Sequence, residues 1–183
     1  LTTLKDANGN NALTITVTDP SADAADLNTV ATITSVAVDA TAVTMISGSA
    51  ATIITTLQSN GITTATTYAA TVTDGDGISV PATTLSAIGL ATTGIVTATN
   101  AIAISGTADE VTAAMVTPNT LVVATTAKVT ISDDANVAID ATTLSAIGGA
   151  TTGIVTATNA IAISGTADEI TAALVATDTL VVA

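Results

Sequence analysis

The sequence predicts a repeat solenoid of short β-strands and short α-helices, an α/β architecture, and three observations carry that reading. Residues 71–124 align with 130–183 at a constant offset of 59, without a gap, and 39 of these 54 positions are identical. Two Thr-Ala-Asp-Glu segments, beginning at Thr107 and Thr166, have the pattern of a helix start. Around them lie short alternating runs of β-branched residues, which favour strands. Identity this high at one fixed period means tandem duplication, and arrays of such a period are stacked or beaded.

Three units fill the chain: a diverged copy in 1–70, a full copy in 71–129, and a further copy in 130–183. The first is recognised because Leu27…Ile46-Ser47-Gly48 keeps the spacing of Leu85…Ile104-Ser105-Gly106. Thr16-Val17-Thr18-Asp19 likewise echoes Thr71-Val72-Thr73-Asp74. Each unit divides again, since the stretch from Thr93 to Gly106 resembles the stretch from Thr120 to Asp133. Each half reads as a short helix followed by a β-rich stretch.

The elements follow in order. Thr84–Gly89 predicts a short helical turn with Leu85 and Ile88 inward, and Gly89 and Gly148 are expected as C-caps. Residues 95–99 and 101–104 predict strands, as do 121–123 and 128–131. Thr107 and Thr166 are expected as N-caps, with Glu110 and Glu169 at the third helical position. Val111, Ala114 and Met115 then follow at helical spacing, as do Ile170, Ala173 and Leu174. Small Ala and Thr side chains let neighbouring layers pack closely. Tandem antiparallel β-sandwich domains are the competing architecture, suggested by Asp-Gly turn signals; the capping boxes favour the solenoid.

Composition removes most chemistry. The chain has no His, Cys, Trp or Phe, no Arg, and two basic residues, Lys5 and Lys128. There is thus no imidazole base, no thiolate and no bidentate clamp for phosphate. Thirteen Asp and two Glu remain, and a carboxylate-only glycosidase would want aromatic rings to hold its sugar. No enzyme is expected. A net charge of −13 disfavours nucleic acid and anionic membrane surfaces. Mean hydropathy is +0.69, yet 42 Thr and interspersed Ser, Gly and Asn break every apolar run below spanning length. No membrane insertion is expected. Zero cysteine excludes a disulfide framework. Neither terminus carries a leader or a closing element, so the chain reads as a piece of a longer array.

The acidic loops are the only candidate chemistry. Asp6, Asn8 and Asn10 form one set of alternating oxygen donors, and Asp74 and Asp76 form a second, as in calcium loops. Asp133 and Asp134, with Asn136 and Asp140, are the corresponding loop of the next unit. The twelfth positions of the first two loops are Val17 and Leu85, not the bidentate Glu of a full calcium loop. The competing reading is a polar turn, with Asp and Gly chosen for backbone freedom. Asp109-Glu110 and Asp168-Glu169 are helix-cap residues rather than a catalytic pair, because adjacent helical residues do not face one another. Threonine rows such as Thr63–Thr67, or Thr97 with Thr99, raise the alternative of an ice-binding face.

The segment Thr-Leu-Ser-Ala-Ile-Gly…Gly-Ile-Val-Thr-Ala-Thr-Asn-Ala-Ile-Ala-Ile-Ser-Gly-Thr-Ala-Asp-Glu resembles repeat units of giant cell-surface proteins of marine cyanobacteria. It is similar also to adhesin-like and S-layer-like arrays. The resemblance covers 71–183 well and 12–70 loosely. It implies an extracellular or cell-surface location, a structural or filamentous role and dependence on Ca2+. Expected partners are further copies or neighbouring repeats, with cell-surface glycans as a further class. An adhesin or ice-binding module is the alternative function.

Overall fold

Every strand pairing between named strands is parallel and joins residues 24 to 26 positions apart, as in Ser21 with Met45 and Val129 with Val155. The computed structural model describes residues 11–118, 122–175 and 181–182. Among them the chain is an α/β fold with parallel strands in four sheets, six short helices and no closed barrel.

The diverged unit contributes β1 (Ser21–Asp23), α1 (Ala24–Ala31), β2 (Val38–Ala40), β3 (Met45–Gly48), α2 (Ala50–Gln58) and β4 (Ile62–Thr64). Then come β5 (Ala69–Val72), β6 (Ser79–Pro81), α3 (Ala82–Leu90), β7 (Val96–Ala98), β8 (Ala103–Gly106), α4 (Ala108–Met115) and β9 (Val122–Val123). The same seven elements return 59 residues later as β10 (Lys128–Ile131), β11 (Ala138–Asp140), α5 (Ala141–Gly149), β12 (Val155–Ala157), β13 (Ala162–Ser164), α6 (Ala167–Leu174) and β14 (Val181–Val182).

The sheets run β1-β3-β5-β7-β9, β6-β8-β10-β12-β14, β2-β4 and β11-β13. In every case a strand pairs with the element three places on, so two other elements intervene between partners. The antiparallel sandwich alternative therefore fails on strand direction.

Register stacks like on like. Ile46, Ala70, Val96 and Val122 form one inward row, and Val80, Ile104, Val129 and Val155 form another. All eight are buried. Each Val or Ile so buried contributes about 1.5–3 kcal/mol, and the outward positions that alternate with them include Ser47, Thr71, Thr97, Ser105, Thr130 and Thr156. The helices stack in chain order, with α3 on α4 and α5 on α6 the closest pairs.

Both capping boxes form. Thr107 and Thr166 accept from the amides of Glu110 and Glu169, whose side chains accept from the cap amides in return. Leu85 and Ile88 are buried as expected. Gly89 and Gly148 are a correction: they lie buried inside helices that run one residue further, and the C-caps are Ala91 and Ala150. Those caps are right-handed, with φ of −81° and −84°, so no left-handed glycine is required.

Candidate functional site

Asp6, Asn8 and Asn10 lie outside the described residues. The other predicted ligands sit in loops that the winding places beside helix N-termini. Asp74 follows β5, which lies against β3, the strand that leads into α2. Its Oδ2 accepts from the amide of Ala50 at 2.6 Å. Asp133 follows β10, which lies against β8, and its Oδ2 accepts from the amide of Ala108 at 2.7 Å. The same loop is pinned from the next layer: Asn100 and Asn159 donate through Nδ2 to the carbonyls of Asp74 and Asp133, both at 2.7 Å.

Asp76 Oδ1 accepts from the amide of Ala101 at 2.9 Å. Asp134 is exposed, and its carbonyl closes a turn by accepting from Val137 at 3.1 Å. The turn position Gly77 has a φ of 72°, and Asn136 holds the equivalent place at 67°. This is the left-handed region, which Gly and Asn enter most readily. Asp140 caps α5 through Thr142, accepting at 2.9 Å from its amide and 2.7 Å from its hydroxyl. The Thr142 hydroxyl and amide hold the Asp140 carboxyl below its ordinary value, as those of Thr41 do for Asp39.

The carboxylates thus face backbone amides one by one. Among the described residues no group of three or more His, Cys, Asp or Glu converges on a metal position. No described helix is long and apolar enough to cross a membrane.

Sequence reasoning missed a second polar device. Thr92 and Thr151 are buried, and each hydroxyl bridges two layers. Thr92 donates to the Tyr68 carbonyl and accepts from Gly94, while Thr151 donates to the Ala127 carbonyl at 2.6 Å and accepts from Gly153 at 3.0 Å. A Cβ at Gly153 would stand 2.0 Å from that same carbonyl oxygen. The Thr-Thr-Gly triplets at 92–94 and 151–153 were the available signal.

The one tyrosine is also internal. Tyr68 is fully buried, its hydroxyl has no hydrogen-bond partner among the described residues, and burial pushes its pKa up to about 12.

Outward threonines form only short rows. One sheet presents Ser47, Thr71, Thr97 and Val123 in register, and the other Pro81, Ser105, Thr130, Thr156 and Val182. Compared with protein-family models, with curated proteins and with solved structures, the chain finds no match.

Proposed function

We propose that this chain is a solenoid segment with a structural role in a secreted or cell-surface repeat protein: a spacer, filament or surface-layer element. The observation that carries the reading is the constant interval of strand pairing, 24 to 26 residues in parallel throughout. A chain that always pairs with itself one layer back grows in one dimension, as repeat proteins do. The acidic loops support the role from within, since Asp74 and Asp133 tie one layer to the next. The absence of His, Cys and Arg from the whole chain leaves little for catalysis, and a charge of −13 keeps such a segment soluble in salt. The ice-binding alternative needs a long flat threonine array, and here the rows hold two adjacent threonines each, flanked by Ser47 and Ser105 and ending at Pro81, Val123 and Val182 among the described residues.

Inserting a second copy of residues 71–129 tests the reading. Parallel strands lie about 4.8 Å apart, so a unit of seven elements, at three to a layer, adds roughly 11 Å to the long dimension. Independent domains on a string would instead add about 20 Å or more for a unit of this size. Small-angle scattering separates the two, and the larger increment would end the solenoid reading.

A further inference from the structure

We infer that Asn60 is a site of spontaneous backbone modification, its side-chain amide cyclising onto the nitrogen of Gly61 and then opening to aspartate or isoaspartate. The step balances without an enzyme. The Gly61 amide gives its proton to hydroxide, its nitrogen bonds to Asn60 Cγ, and the side-chain nitrogen leaves as ammonia, taking a proton from water. Water then opens the five-membered imide at either carbonyl and leaves one carboxylate. Opening at the main-chain carbonyl gives isoaspartate, which adds one carbon to the backbone.

Four corners where a helix hands over to a strand share one kind of turn. The hydroxyls of Thr34, Ser59, Thr92 and Thr151 accept from the amides two residues on, those of Val36, Gly61, Gly94 and Gly153. Three of these corners are latched to the preceding layer. Thr34, Thr92 and Thr151 are buried and donate to the carbonyls of Leu13, Tyr68 and Ala127. The middle residues Ser35, Thr93 and Thr152 donate through their own amides to Asn11, Thr66 and Thr125, at 3.0, 2.8 and 2.7 Å. The Ser59 corner has neither latch. Ser59 is half-buried, its hydroxyl donates to nothing among the described residues, and no carbonyl among them receives the amide of Asn60. The glycines differ as well. A Cβ at Gly94 or Gly153 would stand 2.2 or 2.0 Å from a carbonyl oxygen of the layer before, whereas at Gly61 the nearest atom is the Ser59 hydroxyl at 3.4 Å. Gly61 therefore has room to turn its nitrogen onto the Asn60 side chain, a rotation that must bring the reacting atoms within about 3–3.5 Å.

The other described asparagines each lack a condition for this chemistry. Asn28 donates through Nδ2 to the Thr52 carbonyl, and its Oδ1 accepts from the Thr56 hydroxyl. Asn100 and Asn159 are held through Nδ2 on the carbonyls of Asp74 and Asp133. Alanine follows both of these and Asn11 as well, placing a methyl beside the nitrogen that would attack. Val137 follows Asn136, and its branched side chain crowds that nitrogen more. Among the described residues Asn60 alone combines an exposed side chain, a following glycine and an unlatched turn. The position is not neutral for the fold. The Gly61 carbonyl accepts from the amide of Val38 at 2.9 Å, and Ile62 pairs with Val38. The extra carbon of isoaspartate falls immediately before this pairing, so conversion strikes the register of β4 on β2 and adds a negative charge.

Ageing the folded chain at neutral and at mildly alkaline pH, with peptide mapping by mass spectrometry after elastase digestion, provides the test. Among the described asparagines conversion is expected first at Asn60, faster at the higher pH, with isoaspartate among the products. The pair Asn8-Gly9 falls in a different peptide and is followed separately. Gly61→Ala, which the space at that position admits, is expected to slow conversion about fivefold or more. Thr93→Asn, at an exposed position, places the same dipeptide in a latched corner of the same molecule. Conversion there is expected to run about tenfold or more below that at Asn60, because the latching bonds must open first. Circular dichroism confirms the fold of each variant. Equal rates at the two positions overturn the assignment to the unlatched corner. An Asn60 still intact in the folded chain when a free peptide of residues 56–64 has fully converted overturns the modification itself.

Discussion

The carboxylate of Asp133 accepts the amide proton of Ala108, 25 residues earlier in the chain, at 2.7 Å. Ala108 is the first residue of α4, whose own cap, Thr107, serves the amide of Glu110. A helix leaves several amides without partners at its start, and here two layers share the task of satisfying them. Removing the carboxylate by Asp133→Ala is expected to cost about 1 kcal/mol, the usual size of a lost cap. In a chain of this length that lowers Tm by about 2–4 °C. The neighbouring Asp134→Ala, at an exposed turn, is expected to change stability by less than about 0.5 kcal/mol. Equal effects at the two sites would deny Asp133 its bridging role.

Parts of this arrangement were legible in the sequence because their causes are local. Thr107 and Glu110 are three residues apart, so a capping box can be read without knowing what the helix packs on. The partnership of Asp133 with Ala108 depends on which strands pair, and alternation alone fixes no register between distant strands. The loops were therefore recognised as oxygen-rich while their target, an amide one layer away, was hidden. Gly89 and Gly148 misled for a related reason. Expecting the helix to start at Thr84 placed its end at the glycine, whereas the structure begins α3 at Ala82 and carries it to Leu90.

Two glycines in one unit are expected to respond oppositely to the same change. Gly153→Ala would press a methyl into the Ala127 carbonyl at 2.0 Å, against backbone that cannot swing aside. A loss of about 2 kcal/mol or more is expected, in the range of serious overpacking. Gly149 lies at the end of α5 with open space where its Cβ would stand. Gly149→Ala is expected to stabilise by about 0.5–1 kcal/mol through helix propensity. Chemical denaturation of both variants checks the pair.

Tyr68 offers a clean optical titration because it is the only aromatic residue. Its folded-state pKa, pushed up to about 12, lies above the ordinary value of 10.0. For a neutral acid this means stability that is complete below pH 10 and falls away as pH rises toward 12. Ultraviolet absorbance should show phenolate appearing with unfolding rather than before it. Tyr68→Phe removes a buried hydroxyl that has no partner among the described residues and is expected to hold or raise stability, by up to about 1 kcal/mol. Ionisation near pH 10 in a folded chain would contradict the burial.

Calcium is expected to leave melting unchanged at Asp74, Asp76 and Asp133, whose carboxylates already accept from Ala50, Ala101 and Ala108. A ligand that prefers the folded state would raise Tm in proportion to its concentration over Kd. Melting curves in millimolar calcium and in chelator compare the two. A rise that persists in Asp74→Asn and Asp133→Asn would point to Asp6, Asn8 and Asn10. One abolished by those substitutions would restore the loops as ligands.

The repeating unit and the strand pairing keep different time. A unit has seven elements, whereas pairing recurs every three. Within a unit the two helices are three elements apart and stack directly, as α3 does on α4. Between units the step is four, so each helix pair is displaced by one side relative to the last. Seven and three share no factor, and three units are needed before a helix pair returns to its starting side. A long array built this way would carry its helices as a spiral stripe around the shaft. Every side would alternate helix with strand, and bending would meet the same resistance in all directions.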